Sequence, residues 1–120
     1  MPFTALIDAL RARDRDALGS LLADSVVFNS PVATYEGRAA VVQVLGTVAE
    51  VVDGLAVDRV VSERDETVAF LSGRIGEHEV DGVLDCAVDG AGRIVRVTLM
   101  LRPLEGLLAG VKEMGRRLGG

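Results

Sequence analysis

The chain has 120 residues, a length typical of one folded domain, and we expect a single domain over residues 1–120. Its 13 basic and 18 acidic residues give a formal net charge of -5, which opposes the phosphate neutralisation that nucleic-acid binding requires. Aromatic residues make up 3% of the chain and tryptophan is absent, so few side chains are available for stacking on bases. This composition argues against a nucleic-acid partner.

The N-terminal residues and the cysteine content bear on localisation. Asp8 and Arg11 interrupt the apolar residues near the start, a pattern that does not fit a secretion signal. The longest uncharged apolar-rich run, residues 39–49, is shorter than the roughly 20 residues of a membrane-spanning helix. The single Cys86 has no internal disulfide partner, which is compatible with a reducing compartment. We therefore expect a cytoplasmic protein with no membrane partner.

The first third of the chain predicts helices followed by a strand. Residues 3–10 carry apolar side chains at helical spacing and predict a first helix. A second short helix, capped by Asp14 or Asp16, is expected to precede a strand at residues 26–28, which are β-branched or aromatic. The segment from Pro31 to Gly37 is predicted as a loop.

The remaining two thirds predict one more helix, a sheet and a terminal helix. Arg38 to Val52 has so many apolar positions that we expect a heavily buried helix, ended by Gly54. A terminal amphipathic helix is expected to start at Pro103. Short turns separate four strand-like runs and indicate antiparallel hairpins. These runs are Leu55 to Glu63, Thr67 to Ile75, Val80 to Val88 and Ile94 to Arg102.

This order predicts an α+β fold in which a curved, mostly antiparallel sheet wraps around the N-terminal helices and leaves a cavity. Residues 9–18 read ALRARDRDAL, and residues 22–28 read LADSVVF, followed by Pro31. These segments resemble the nuclear transport factor 2-like (NTF2-like) superfamily, within it the ketosteroid isomerase and SnoaL-like polyketide cyclase branch. Residues 37–40 and 89–94 agree with this resemblance. It implies the NTF2-like cone with a C-terminal helix.

The resemblance also identifies positions where the family carries catalytic groups. Ketosteroid isomerases have a carboxylate just before the early proline, where this chain has Ser30. Their oxyanion-binding tyrosine corresponds to Leu6, and their second donor to Leu84 or, with a one-residue deletion, to Asp85. The resemblance therefore implies that the acids of the isomerase are largely replaced.

The cyclases and the related limonene epoxide hydrolases give a similar comparison. Both use an aspartate on the last strand, and Leu99 takes its place here. Asn29 matches an asparagine of the hydrolases, but their arginine followed two residues later by an aspartate is represented by Arg74 and Gly76. Only fragments of the hydrolase site are present.

Asp85 is the remaining candidate for acid or base catalysis, because a carboxylate in a dry cavity has a raised pKa. Strand alternation places Asp81 and Asp85 on the face opposite Leu84 and Cys86. The pattern thus leaves two possibilities, a solvated face or a pocket, and favours the first.

The other polar candidates are weaker. His78, the only histidine, lies between two glutamates in a predicted turn without metal ligands at suitable spacing, so we expect no metal and no cofactor. Cys86 is expected to pack as a small apolar side chain. Tyr35 lies in the predicted loop and is interpreted either as a ligand contact or as a half-buried anchor.

The function predicted from these residues is the binding of a small hydrophobic molecule, such as a polyketide-, steroid- or lipid-like compound, in an apolar cavity. The alternative is a cyclase- or isomerase-type enzyme that moves a proton beside a carbonyl with Asp85. A homodimer is expected in either case, because both faces of the predicted strands carry aliphatic side chains. The predicted pocket comprises Leu6, Leu10, Phe28, Asn29, Ser30, Tyr35, Leu45, Val97 and Leu99.

Overall fold

The computed structural model describes residues 2–119, which form four helices and six strands. The helices are α1 (Pro2–Ala12), α2 (Arg15–Leu21), α3 (Arg38–Val51) and α4 (Leu104–Arg117). The strands are β1 (Leu22–Asn29), β2 (Thr34–Glu36), β3 (Asp53–Glu63), β4 (Glu66–Ile75), β5 (His78–Val88) and β6 (Ile94–Arg102).

The two N-terminal helices form a hairpin whose turn depends on two residues. Arg13 adopts a left-handed backbone conformation, with φ of 54°, which ends α1 and reverses the chain. Asp14 then caps α2, because its side chain accepts a hydrogen bond from the backbone nitrogen of Ala17 at 3.0 Å. The structure thus selects Asp14 over Asp16 as the cap.

The six strands form one curved, open sheet in the order β2-β1-β6-β5-β4-β3. β1 runs parallel to β6, and every other neighbouring pair is antiparallel. The predicted α+β cone with a C-terminal helix is therefore confirmed. The central position of β6 matters for the site, since it places the last strand of the chain between β1 and the β3–β5 meander.

Four local predictions differ from the structure. The first strand begins at Leu22 instead of at residue 26, and α4 begins at Leu104, with Pro103 as its N-cap. The segment predicted as a loop contains β2, a three-residue strand that pairs with β1 through Phe28 and Tyr35. The third helix ends at Val51, before Gly54, because Val52 is already extended and leads into β3. Gly54 instead takes a left-handed conformation, with φ of 63°, inside an irregular stretch of β3.

The inner face of the sheet packs on α1 and α3 to form the main core. Along β5, Leu84 and Cys86 point inward and are buried, whereas Asp81 and Asp85 alternate with them on the outer face. On the neighbouring strand β6, Val97 and Leu99 point inward in the same way. The helices therefore cover one face of the sheet and leave the other uncovered.

Helix α4 closes one end of the cone. Its buried glycines Gly106 and Gly110 allow close approach to the sheet, and an added Cβ on Gly110 would lie 3.0 Å from Ile75 Cδ1. Arg117 joins α4 to α3 through an ion pair with Glu50 at 3.3 Å. Within residues 2–119, no helix is both long and apolar enough to cross a bilayer.

Candidate functional site

A cavity of about 360 Å³ lies between the inner face of the sheet, the end of α1 and the second half of α3. Its walls are mainly aliphatic, which suits a small apolar ligand held by few polar contacts. The helical wall includes Leu10, Leu45, Val48, Ala49 and Val52, and the sheet wall includes Leu55, Leu71, Val80, Leu84, Leu99 and Leu101.

Two glycines line this cavity at points where neighbouring protein atoms approach the sheet closely. Gly73 and Gly82 line it from β4 and β5, at positions where a side chain would point inward. An added Cβ on Gly73 would lie 2.7 Å from Val52 Cγ1, and one on Gly82 would collide with the carbonyl oxygen of Met100. The close approach of Val52 and of strand β6 at this wall therefore depends on the absence of side chains at both positions.

Charged groups in this cavity cluster at its mouth. Arg13 donates from Nε to the carbonyl oxygen of Ala49 at 3.1 Å and from Nη2 to Asp53 at 2.9 Å. Arg11 donates from Nε to the carbonyl oxygen of Leu55 at 3.1 Å. Both guanidinium groups are thus fixed at the rim by backbone carbonyls of the elements that form the walls.

A second cavity of about 240 Å³ lies between α3, α4 and the loop after β1. It shares Val48, Val52, Leu99 and Leu101 with the first cavity, so the two lie back to back across these four side chains. The outer wall of the second cavity comes from α4 and includes Leu107, Gly110, Val111, Met114 and Leu118. A change in the shared side chains would alter both volumes.

The predicted polar contacts Ser30 and Tyr35 lie in the second cavity. The Ser30 hydroxyl donates to the carbonyl oxygen of Ala33 at 2.7 Å and accepts from the Ala33 nitrogen at 3.0 Å, so it closes its own turn. Tyr35 stacks on Phe28 with ring centroids 6.3 Å apart. Tyr35 therefore offers its hydroxyl from a ring that is already fixed.

The remaining predicted pocket residues separate into wall and core. Leu10 and Leu45 line the first cavity, and Leu99 lines both. Leu6, Phe28 and Val97 are fully buried in the core, and neither cavity includes them among its lining side chains. These three fill space instead of bounding a void.

Asn29 lies on the outer face of the sheet. Its Nδ2 donates to Thr98 Oγ1 at 3.1 Å, and its Oδ1 accepts from Thr34 Oγ1 at 3.1 Å. The amide thus ties together three neighbouring strands, β2, β1 and β6. Its position keeps it away from both cavities.

Asp85 also lies on the outer face, opposite Thr98 of β6. Its Oδ2 accepts a hydrogen bond from Arg96 Nη2 at 3.1 Å, while its Oδ1 is buried without a partner among residues 2–119. Arg96 also bonds Glu66 at 2.9 Å. The neighbouring carboxyl group of Asp85 raises the pKa of Glu66, against the opposing effect of Arg96.

The other candidates are placed outside the cavities. Cys86 is buried on the inner face, and burial together with the charge of Asp85 raises the pKa of its thiol to about 11. Such a thiol is a poor nucleophile near neutral pH. His78 is exposed at the start of β5. In the part of the chain that the structure describes, no three His, Cys, Asp or Glu side chains are grouped as metal ligands would be.

Sequence reasoning missed several of the lining residues. Val48 and Val52 belong to the apolar stripe of the third helix, and Leu101 alternates with Leu99 along β6, so periodicity contained a usable signal. Arg11 and Arg13 carried no such signal, because arginines at the end of a helix are typical of a solvated face. The role of α4 as a wall of the second cavity could not be predicted from periodicity, because it depends on how the helix packs against the rest of the fold.

Comparisons with known proteins agree with the fold. A family model described as the SnoaL-like domain matches residues 3–102. A steroid delta-isomerase from Pseudomonas aeruginosa is 35% identical, with 98% of this chain and 89% of that chain covered and a TM-score of 0.93. A conserved bacterial protein with a cystatin-like fold from Silicibacter pomeroyi is 24% identical, with 98% and 84% covered and a TM-score of 0.93.

A further neighbour is a hypothetical protein of ketosteroid isomerase-like fold from Catenulispora acidiphila, in complex with trimethylamine. It is 18% identical, with 91% of this chain and 90% of that chain covered and a TM-score of 0.72. No curated protein sequence matches the chain. The match over residues 3–102 and the 35% identity over nearly the whole length agree with the cone, and the chain belongs to the SnoaL-like family, in the ketosteroid isomerase-like branch of the NTF2-like fold.

Proposed function

We propose that this protein binds a small hydrophobic molecule, of polyketide-, steroid- or lipid-like character, in the first cavity. The observation that carries this proposal is a cavity of about 360 Å³ with predominantly aliphatic walls between the sheet and helices α1 and α3. This volume lies within the range of small-molecule sites, which is about 300–1,000 Å³. A ligand that fills it removes these aliphatic walls from water and gains van der Waals contacts with them.

The acids that carry chemistry in the family are, on this proposal, largely replaced. Ser30 closes its own turn, Leu99 is an aliphatic wall residue, and Asp85 lies on the opposite face of the sheet. A passive binding cavity needs none of them.

Thermal denaturation with a panel of apolar compounds tests the proposal. A ligand present at about 100 times its dissociation constant stabilises a protein by roughly 2.7 kcal/mol, which raises the melting temperature of a domain of this size by about 10 °C. Steroids, aromatic polyketides and fatty acids make a suitable panel. If no compound from any of these classes raises the melting temperature, the proposal fails.

A matched pair of variants localises the binding. Ala49 lines the first cavity, and Ala39 is exposed near the start of the same helix. Ala49→Leu adds three carbon atoms to the void and is expected to weaken binding at least tenfold, whereas Ala39→Leu adds the same atoms in solvent and leaves binding unchanged. Equal affinities for the two variants would place the ligand elsewhere.

The second candidate is an enzyme of the isomerase type, favoured by the 35% identity to a steroid delta-isomerase. Such an enzyme moves a proton between carbons beside a carbonyl, and Asp85 is the side chain predicted to carry it. A β,γ-unsaturated ketosteroid would then become conjugated, which ultraviolet absorbance detects. Turnover that survives Asp85→Asn would exclude Asp85 as the base. If the wild type shows no turnover, ligand binding is the remaining proposal.

The proposal also includes a homodimer formed through the outer face of the sheet. Phe70, Val61 and Met100 are exposed there, with Met100 63% accessible, and apolar groups on an uncovered face favour association. Sedimentation of the wild type and of Met100→Lys tests this. A wild type that remains monomeric at high concentration would contradict it.

A further inference from the structure

The mouth of the first cavity carries a positive charge that its apolar interior does not explain. Arg11 and Arg13 are the basic residues among the side chains that line this cavity. Arg11 is in the last turn of α1, and Arg13 follows directly after the helix. Cationic groups beside an apolar void are unfavourable for a purely apolar occupant and favourable for one that carries an anion.

The hydrogen bonds distinguish the two arginines. Arg13 uses Nε and Nη2 for the Ala49 carbonyl oxygen and for Asp53, so its charge is paired within the protein. Arg11 uses only Nε, for the carbonyl oxygen of Leu55. Both terminal nitrogens of Arg11 lack a hydrogen-bond or ion-pair partner among residues 2–119.

The acidic residues around the mouth do not neutralise Arg11. Asp53 is paired with Arg13, and Asp81 accepts two hydrogen bonds from Arg102, at 3.0 and 3.2 Å. Asp8 lies one turn earlier on α1 and forms no ion pair with Arg11. The positive charge at the mouth is therefore left for an occupant, in a protein whose net charge of -5 would otherwise repel an anion.

We infer that the cavity takes an apolar molecule carrying a carboxylate, with the apolar body inside and the carboxylate bound at the mouth by the terminal nitrogens of Arg11. The Nε bond to Leu55 fixes the plane of the guanidinium, which then presents its free edge to both oxygens of a carboxylate. This inference rests on the proposed binding function and specifies the class of ligand.

Three compounds with one apolar body and different charges test the inference. Naphthoate, naphthamide and naphthylmethylamine fluoresce, and a protein without tryptophan adds little background to their titrations. We expect naphthoate to bind the wild type about tenfold more tightly than the neutral amide, and the amine to bind most weakly. Similar affinity for naphthoate and naphthamide would overturn the inference.

Variants assign the preference to a single side chain. Arg11→Gln should reduce the difference in affinity between acid and amide to within about twofold, and Arg11→Lys should restore part of that difference. Arg93→Gln removes the same charge from an exposed turn outside the cavities and should leave the preference intact. A preference that persists in Arg11→Gln would overturn the role of Arg11.

The two proposals fail in different ways. If the amide binds and the acid has no advantage, the carboxylate inference fails and the binding function stands. If none of the three compounds binds, the inference and the proposed apolar cavity for such ligands fail together.

Discussion

Arg96 holds the Asp85 carboxylate on the outer face of the sheet, with Nη2 3.1 Å from Oδ2. The same guanidinium group reaches Glu66 at 2.9 Å, so one positive charge serves two acids. When both carboxyl groups are ionised, one of the two negative charges is therefore not balanced by Arg96.

We expect Glu66→Gln to remove a pH-dependent penalty. The neighbouring carboxyl group of Asp85 raises the pKa of Glu66 in the folded protein. The stability that Glu66 contributes is therefore present below its unfolded pKa near 4.5 and is lost as the pH rises through its folded pKa. The variant should therefore gain stability relative to the wild type between pH 4 and pH 7, as measured by urea denaturation. Glu79→Gln, an exposed change on β5, should show no such trend. A stability difference that does not change with pH would contradict the coupling.

Glu113→Gln should have the opposite pH signature. Hydrogen bonds from Arg116 and Arg117 lower the pKa of Glu113 to about 2. The stability that Glu113 contributes is therefore present above its unfolded pKa near 4.5 and is lost as the pH falls towards 2. The variant should be less stable than the wild type at pH 7, and the difference should shrink between pH 4.5 and pH 2.

Salt provides the control for this prediction. Because the carboxylate of Glu113 and its arginines are partly exposed, added sodium chloride should reduce the difference at pH 7. Glu36→Gln, an exposed change on β2, should be insensitive to both pH and salt. A Glu113→Gln effect that salt does not reduce would indicate lost packing instead of lost ion pairs.

Gly82→Ala should destabilise the pairing of β5 with β6. A Cβ at this position would collide with the carbonyl oxygen of Met100 and lie 2.9 Å from Leu101 Cδ2, and backbone cannot move as easily as a side-chain end. We expect a loss of about 3 kcal/mol in the free energy of unfolding. Gly90→Ala, in a loop where an added Cβ meets nothing within 4 Å, should be neutral or stabilise by about 0.5 kcal/mol. Equal effects at the two positions would contradict the close approach.

Cys86 should resist thiol reagents in the folded protein. Its pKa of about 11 leaves little thiolate at neutral pH, and its side chain is buried. We expect labelling by a disulfide reagent to be at least a hundredfold slower in the native state than in denaturant. Ser20→Cys in a Cys86→Ala background, exposed on α2, should react at once. Rapid labelling of native Cys86 would show that the strand opens readily.

Sequence reasoning predicted the fold from strong periodic signals. The four strands after the third helix and the first helix correspond to predicted runs within one or two residues, because apolar alternation and helical spacing extend over whole elements there. The second helix is present as predicted, but β1 begins four residues before the predicted strand. β2 was missed, since three residues between Pro31 and Gly37 cannot display a period. The end of α3 was predicted too late in the chain, because Gly54 is typical of a helix C-terminus although the chain already becomes extended at Val52.

The site was less predictable, for a physical reason. Leu99 lines a void and Val97 fills the core, yet both are inward-facing aliphatic residues two positions apart on one strand. Whether such a side chain borders empty space depends on the side chains around it. Leu99 lies next to the Gly82–Leu101 pair, where Gly82 has no side chain. Arg11 gave no signal, since its partner is a backbone carbonyl 44 positions away.

Helix α4 has a consequence for how this scaffold can be altered. The family match ends at Arg102, and α4 begins at Leu104 yet supplies one wall of the second cavity. The lining of the first cavity includes no residue of α4, so the inward side chains of this helix border the second cavity alone. Bulkier or smaller side chains at these inward positions of α4 are therefore expected to change the volume of the second cavity.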